Sequence, residues 1–391
     1  MDQRAAKIKR IQEISFIPNP VHGSAAVFFW GPRQTGKTTY LHDRFPQARF
    51  FDLLDTALAA ELSVQPHRLR EWVLAERPEL VVIDEVQKVP AVLPEVHWLL
   101  ENTACKLVLC GSSARRLRRE AQNLLGGRAA EVHLLPLVSA ELPDIDLDRA
   151  LNHGLLPAHY LLEEPRPLLR AYVHAYLKEE ILDESLTRNV PAFSRFLQVV
   201  GLTHGRQLNY ANVARECGVA ASTVRSYFQI LQDTLLGFEL PAWRQVVKRR
   251  LTETAKFYLF DVGVANSLNP ELREVREGSD VYGRAFEHLL INEVRAYLAY
   301  HRLDWPLCYW RTSAGLEVDL VAGAMEVALE FKASRDVRRE EMKGLLALRE
   351  EHPRGRSILV SREARPRTAG AIEIMPWHDF CRRLWAGEIL R

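Results

Sequence analysis

The chain has 391 residues, 47% of them apolar, enough for two or three domains that each bury a core of their own. Lys and Arg number 52 against 50 Asp and Glu, so the net charge of +2 does not itself point to a nucleic-acid partner, and any basic surface must be local. The five cysteines are scattered without zinc-type spacing and read as reduced thiols of a cytoplasmic protein, and no apolar run approaches the roughly 20 residues of a membrane span.

The first third alternates short apolar runs with helical patterns. Strands are expected at 25–30, 49–53, 80–84, 106–110 and 131–135, with room for a helix in most gaps, as a parallel sheet requires. The first of them runs into Gly31-Pro32-Arg33-Gln34-Thr35-Gly36-Lys37-Thr38-Thr39, which fits G-x-x-x-x-G-K-[ST] without mismatch. In such a loop the glycines let the backbone curl so that successive N–H groups face phosphates. Lys37 then reaches the β and γ phosphates of ATP, Thr38 gives a hydroxyl to Mg²⁺, and the following helix adds its positive end. The run Leu80-Val81-Val82-Ile83-Asp84-Glu85 reads as a buried strand ending in two carboxylates. Asp84 is expected to hold the metal, directly or through water, and Glu85 to polarise the attacking water.

The strand at 106–110 delivers Gly111-Ser112-Ser113. Ser112 there is either a side chain that senses the γ-phosphate or simply a helix cap. Arg128, after Gly126-Gly127, is a candidate arginine finger or sensor, with an ordinary surface arginine as the alternative. Basic runs at Arg115, Arg116, Arg118 and Arg119, and at Arg244, Lys248, Arg249 and Arg250, are local positive patches or solvated faces.

From about Asp148 to Gln232 the pattern turns helical. Residues 208–232 read as a helix-turn-helix: Tyr210, Val213 and Ala214 form the first apolar stripe, Gly218 the turn, and Val219, Val224, Phe228 and Leu231 the second. The second helix would present Ser222, Thr223, Arg225, Ser226 and Gln229 outward, side chains able to contact phosphates or base edges. Thr223, Arg225, Lys248 and Arg249 are the candidate nucleic-acid contacts; the alternative is a packing module with no such role.

After Lys256 strands return: 257–260, then a helix over 283–300, then strands at 316–321 and 327–331. Strict alternation puts Glu317 and Asp319 on one face with Leu316, Val318 and Leu320 on the other, and sets Glu330 and Lys332 opposite Val327, Leu329 and Phe331. Two neighbouring strands of this kind bring Asp319, Glu330 and Lys332 together. Carboxylate oxygens suit Mg²⁺, with Mn²⁺ as an alternative, while Lys332 can orient a water or neutralise charge on phosphorus. Glu287 shares a helix face with Leu290, Ile291 and Val294, and an acid facing a core needs a partner or a metal. The competing reading is a half-exposed sheet with ordinary surface charges.

These residues together resemble a known family. Beyond the loop and Ile83-Asp84-Glu85-Val86-Gln87-Lys88-Val89-Pro90, the resemblance is carried by Gly111-Ser112-Ser113, Gly127-Arg128 and Leu134-Leu135-Pro136-Leu137. It continues through Phe260-Asp261-Val262-Gly263, Gly283-Arg284-Ala285-Phe286-Glu287, Tyr309-Trp310-Arg311-Thr312, Glu317-Val318-Asp319-Leu320 and Leu329-Glu330-Phe331-Lys332. Nearly end to end, the chain is similar to bacterial and archaeal ATPases with an N-terminal AAA-type domain and a C-terminal domain of unknown function, itself similar to PD-(D/E)xK nucleases. One departure is Thr35, where Val is more usual.

The resemblance implies an α/β chain in three parts: a P-loop AAA-type ATPase domain over 1–145, a helical and winged-helix region over 146–250, and a PD-(D/E)xK nuclease-like α/β domain over 251–391. It implies ATP hydrolysis through Glu85, with Gly31 to Thr39, Asp84, Ser112 and Arg128 around the nucleotide. It also implies metal-dependent nuclease chemistry through Glu287, Asp319, Glu330 and Lys332, with Asp319 and Glu330 as metal ligands. The expected partners are branched, broken or single-stranded DNA and further copies of the chain in a closed oligomer such as a hexameric ring, with no membrane. The alternative expectation is an ATP-switched DNA- or protein-binding regulator whose nuclease-like domain is catalytically inactive.

Overall fold

The computed structural model describes residues 8–112, 129–173, 189–244, 254–269, 271–272 and 274–390. It divides into two compact units, Arg10–Pro136 with Asp233–Leu236, and Leu137–Gln232 with Gly237–Arg391 and Met1–Lys9.

In the first unit the strands β1 (Ala25–Trp30), β2 (Arg49–Asp52), β3 (Leu80–Asp84), β4 (Lys106–Gly111) and β5 (Ala129–His133) form one sheet in the order β2-β3-β4-β1-β5. Every pairing is parallel. Helices α1 (Lys37–Arg44), α2 (Thr56–Val64), α3 (His67–Glu76) and α4 (Leu93–Asn102) accompany it. The sequence shows why both faces are covered: all of β1 is buried, and its residues alternate between two apolar clusters. Val27 and Phe29 pack with Tyr40 and Leu41 of α1, while Ala26, Phe28 and Trp30 join Leu69, Val96 and Leu99 on the other side. The strand order places β4 between β1 and β3, so the ends of the loop strand and the acidic strand flank the end of β4.

The second unit begins with α5 (Leu147–His153), α6 (Pro157–Leu161), α7 (Arg166–Ala171), α8 (Val190–Thr203), α9 (Tyr210–Cys217) and α10 (Ala221–Asp233). An antiparallel pair follows, β6 (Gly237–Leu240) and β7 (Lys256–Leu259), then α11 (Val262–Ser267) and the long α12 (Asp280–His301). A mixed sheet completes it in the order β12-β13-β11-β10-β9-β8, from β8 (Leu307–Arg311), β9 (Glu317–Ala322), β10 (Val327–Phe331), β11 (Arg356–Ser361), β12 (Arg367–Ala369) and β13 (Ile372–Pro376). Helix α13 (Lys343–Glu351) lies between β10 and β11 in the chain, and α14 (Trp377–Trp385) follows β13.

Helix α12 starts at Ser279, whose hydroxyl accepts the N–H of Tyr282 at 3.2 Å, and ends at Arg302 in the left-handed region with φ 54°. Its Phe286, Leu289, Leu290, Ile291 and Val294 are buried with Leu320, Leu329 and Phe331 of the sheet. Each such side chain withdrawn from water contributes about 1.5–3 kcal/mol, which anchors Glu287 in their midst.

Strict alternation along 316–321 does not hold. The β8–β9 pairing runs Cys308↔Val321 and then Trp310↔Val318, so Asp319 and Leu320 together stand opposite Tyr309. This one-residue bulge in β9 sends Val318 into the cluster of Trp310 and Ala328, and Leu320 into that of Phe286 and Leu290. The sequence expectation that Val318 and Leu320 share a face is corrected by that extra residue, which re-aims Leu320 as bulges do.

Candidate nucleotide site and C-terminal acid cluster

The loop after β1 is built by its own hydrogen bonds. Positive φ at Gln34 (64°) and Gly36 (86°) curls the chain, and Gly36 carries a conformation that costs an L side chain roughly 1 kcal/mol or more. Thr35, fully buried, donates its hydroxyl to the carbonyl of Pro32 at 2.9 Å, which accounts for a threonine at this position. Lys37 Nζ donates to the carbonyls of Gly31 at 2.7 Å and Pro32 at 3.0 Å, holding the ammonium over the loop. Arg33 and Gln34 are half-buried at the rim, and Thr38 and Thr39 are exposed at the start of α1.

Across the sheet, Thr38 Oγ1 donates to Asp84 Oδ2 at 2.6 Å, and Asp84 Oδ1 accepts the N–H of Glu85 at 3.0 Å. A hydroxyl and a buried carboxylate side by side at a loop of the phosphate-binding pattern are the hard oxygen donors Mg²⁺ takes, so these residues fit that ion. Glu85 leaves β3 with a left-handed backbone, φ 53°, a strained geometry of the kind that collects at functional sites.

Four hydrogen bonds here, made by Gln87 and Arg10, were not foreseen. The side-chain amide of Gln87 donates both to Glu85 Oε2 and to Ser112 Oγ, the latter at 3.2 Å. Gly111 leaves room for it: a Cβ at this glycine would lie 2.4 Å from Gln87 Oε1 and 2.9 Å from the Trp30 ring. Arg10 donates to the carbonyls of Thr35 and Leu135, each at 2.6 Å, and so ties the loop to the chain beyond β5. Gln87 follows the acidic strand directly, so the amide two positions after Glu85 was the readable signal. Arg10 offered none. Arg128, Ser113 and the arginines at 115, 116, 118 and 119 lie outside the described residues.

In the second unit the acids gather as charge pairs. Lys332 Nζ lies 2.5 Å from Glu330 Oε1 and 3.8 Å from Asp319 Oδ2, so one ammonium serves both carboxylates. Asp319 Oδ2 also accepts the N–H of Phe331 at 2.9 Å, where the β9–β10 ladder has stopped at Leu320↔Leu329. Glu330 Oε2 is buried without a partner among the described residues. Burial, reinforced by the charge of Asp319, pushes the Glu330 carboxyl well above the usual range, against the pull of Lys332. Burial alone would lower Lys332, but Asp319 and Glu330 hold it above its ordinary value.

Glu287 does not join that pair. Its Oε1 takes Lys256 Nζ at 3.0 Å and the hydroxyl of Tyr258 at 2.5 Å. Lys256 Nζ reaches on to Glu317 Oε1 at 2.5 Å, and Glu317 Oε2 meets Arg311 at 2.6 Å. Burial raises the Glu287 carboxyl while Lys256 opposes it; burial would lower Lys256, yet Glu287 and its neighbours keep it well above normal. Among the described residues no three His, Cys, Asp or Glu side chains form a metal-holding group. Asp319 and Glu330 fit a single hard cation, through the orphaned Glu330 oxygen, but Glu287 does not complete a cage with them. Lys256 and Tyr258 alternate on β7, a period-two polar pair in a buried strand, and that was the overlooked signal.

In the helical part, α9 ends at Gly218 and α10 begins at Ala221. Val213, Ala214, Val224, Phe228 and Leu231 are buried, while Ser222, Arg225, Ser226 and Gln229 are exposed and Thr223 is half-buried. The Arg225 guanidinium lies 5.2 Å from the centre of the Tyr210 ring. Lys248, Arg249 and Arg250 lie outside the described residues.

Residues 24–142 match a family model described as AAA domain, and residues 144–274 and 282–380 match two domains of unknown function, DUF8612 and DUF4143. The chain is 26% identical over 324 residues to the uncharacterized protein Rv2008c of Mycobacterium tuberculosis, covering 80% of this chain and 71% of that one. It is equally similar to the uncharacterized protein Mb2031c of Mycobacterium bovis. Among solved structures, the Orc1 protein of Aeropyrum pernix in complex with DNA aligns at 13% identity and TM-score 0.29, over 63% of this chain and 87% of that chain. A STAND protein of Pyrococcus horikoshii, PH0952, aligns at 16% identity and TM-score 0.22, over 72% of this chain and 46% of that chain. Scores this low carry no argument about fold or function. Among the described residues no helix is long and apolar enough to cross a membrane. The family match, the all-parallel sheet and the loop facing two carboxylates agree: the first unit is an AAA-type P-loop domain.

Proposed function

We propose that the protein is a magnesium-dependent ATPase whose nucleotide cycle acts on DNA through its second unit. The observation that carries the reading is the 2.6 Å hydrogen bond from Thr38 to Asp84, which joins the end of the loop to the acidic strand and sets Glu85 beside both. When bound, Mg²⁺ supplies charge to the β and γ phosphates, held by Thr38 and Asp84. Lys37 turns its ammonium from the loop carbonyls to the same phosphates. Glu85 orients a water in line with the γ-phosphate and takes its proton, and Ser112, just after the intervening strand, would contact the γ-phosphate. Arg128 of a neighbouring copy in a ring is the proposed finger. The test is ATP turnover by the purified chain beside its Lys37→Ala and Glu85→Gln forms; equal turnover in all three defeats the reading.

For the second unit we read α8 to α10 with β6 and β7 as a winged helix, whose exposed Arg225 and Ser226 support contact with DNA phosphates. We read α12 with the mixed sheet as a PD-(D/E)xK nuclease-like domain acting on branched or broken DNA. Asp319 and Glu330 would hold one Mg²⁺ or Mn²⁺, and Lys332 would position a water or neutralise developing charge. A second reading, a catalytically inactive platform that only binds, is favoured by the ammonium groups already seated on all four acids of the cluster. Cleavage of labelled flap and four-way DNAs by the wild type, Asp319→Asn and Lys332→Ala chains, with Mg²⁺ or Mn²⁺, separates them: metal-dependent cutting lost in both variants supports the nuclease, and no cutting in any nucleotide state supports the platform.

A further inference from the structure

Lys256 is the residue the proposed chemistry does not use. It is 4% exposed, on a strand whose other residues, Phe257, Tyr258 and Leu259, are all buried. A lysine withdrawn from water this far loses its hydration and must be repaid by partners. Its partners are specific. The ammonium lies between Glu287 Oε1 and Glu317 Oε1, with the Tyr309 ring centre 5.2 Å away. Tyr258, two residues on, donates to the same Glu287 oxygen, and Arg311 takes the other oxygen of Glu317. Glu287 Oε1 and both oxygens of Glu317 are therefore committed to protein donors.

The charges of the cluster lead to the same place. Glu287, Glu317, Asp319 and Glu330 are paired with Lys256, Arg311 and Lys332, four carboxyl groups to three cations. The only carboxylate oxygen of the four found buried and unpartnered among the described residues is Glu330 Oε2. A single divalent cation at Asp319 and Glu330 would meet that oxygen and turn one carboxyl in excess into one positive charge in excess. A second, beside Glu287, would have to displace Lys256 and would load a buried site with excess positive charge.

We propose that Lys256 is a resident cation, standing between Glu287 and Glu317 where a second divalent ion would otherwise bind, so that the cluster accepts no more than one such ion. The proposal leans on the reading of Asp319 and Glu330 as a cation pair only for the first site, not for the role of Lys256.

Mn²⁺ binding, counted by electron paramagnetic resonance on the full chain, tests it. The background carries Thr38→Ala and Asp84→Asn to remove the ion of the first unit. This background protein should bind one Mn²⁺ at most, and adding Lys256→Met should raise the count by one. Lys256→Met should also melt lower by about 10 °C in chelator, because it strands buried carboxylates, and Mn²⁺ should restore most of the loss. Lys256→Arg should keep the background count. Should the background bind no Mn²⁺ while Lys256→Met gains one, the cation-pair reading fails but the role of Lys256 stands. Two ions in the background overturn the proposal, as does a Lys256→Met chain that neither gains an ion nor recovers its melting temperature with Mn²⁺.

Discussion

Thr38 Oγ1 and Asp84 Oδ2 meet at 2.6 Å although 46 positions separate them in the chain. The contact exists because β1 and β3 run parallel with β4 between them, so that the loop after one strand and the acid closing another come to the same edge of the sheet. Removing the hydroxyl in Thr38→Ala takes away the bond to Asp84 Oδ2 and keeps the one from the Glu85 N–H to Oδ1. That variant should bind ATP with weaker dependence on Mg²⁺, measured by titrating a fluorescent nucleotide at several Mg²⁺ concentrations.

Glu85→Gln should retain nucleotide binding and lose turnover by about a hundredfold or more, the scale of a general base. Lys37→Ala should lose binding as well, since it removes the main side-chain charge on the phosphates. Binding isotherms and steady-state hydrolysis on the same preparations check the pair; undiminished turnover in Glu85→Gln would move the base elsewhere.

Gln87 holds Glu85 and Ser112 through one amide, so its removal should misplace the base without touching the phosphate loop. Gln87→Ala is expected to lower kcat roughly tenfold, about one hydrogen bond's worth, with KM for ATP little changed. Gly111→Ala should reproduce that loss by pushing on Gln87, and should also destabilise the unit because the added methyl meets Trp30 at 2.9 Å. Kinetics and thermal melting of both variants read these outcomes; a raised KM with normal kcat in Gln87→Ala contradicts them.

Acid should weaken the second unit through its buried histidines. His159, with no exposed surface and neither ring nitrogen partnered among the described residues, is lowered by burial to about 4; His288, which bonds the Leu259 carbonyl, is likewise lowered by burial to about 4. A depressed folded value means that the unfolded chain takes up the proton first. Their contribution is present above pH ~6.5 and is lost as pH falls toward ~4, at up to ~1.4 kcal/mol per pH unit for each. The buried Asp261, raised by burial to about 6, works in the opposite sense, so the comparison must be with His159→Leu. That variant should lose stability less steeply than the wild type between about pH 6.5 and about pH 4.5, by denaturant melts; parallel profiles would show that His159 charges without penalty.

If the exposed face of α10 meets DNA, affinity should fall as salt rises, and Arg225→Ala should reduce the slope of log affinity against log salt by about one. Anisotropy titrations over a salt series measure it. An unchanged slope and affinity make α9 and α10 a packing module.

Much of this was legible because the physics is local. Every strand of the first sheet carries a short apolar run, and the phosphate loop is a contiguous string whose spacing is its function. The half-buried position of Glu287 was also readable, from the helix face it shares with Leu290 and Ile291, and so was its need of a partner. The partner was not, because Lys256 comes from a strand 31 positions away and only tertiary packing brings it there. Period-two reasoning brought Asp319 to Glu330 and Lys332 but failed at Leu320 for a related reason: a bulge is a property of two strands together, and nothing in Leu-Glu-Val-Asp-Leu-Val alone announces it. Arg10 reaches the carbonyl of a residue 125 positions on, a distance at which local pattern carries no information.

The extra residue in β9 also bears on how such a chain can change over time. The bulge absorbs the loss of one residue: without Leu320 the strand would pair regularly with β8, and Val318 and Val321 would keep the face they share now. The spacing of this strand is thus a heritable trait with one spare position, where a lost codon leaves both flanks in place although elsewhere in β9 it would turn a flank to the other face.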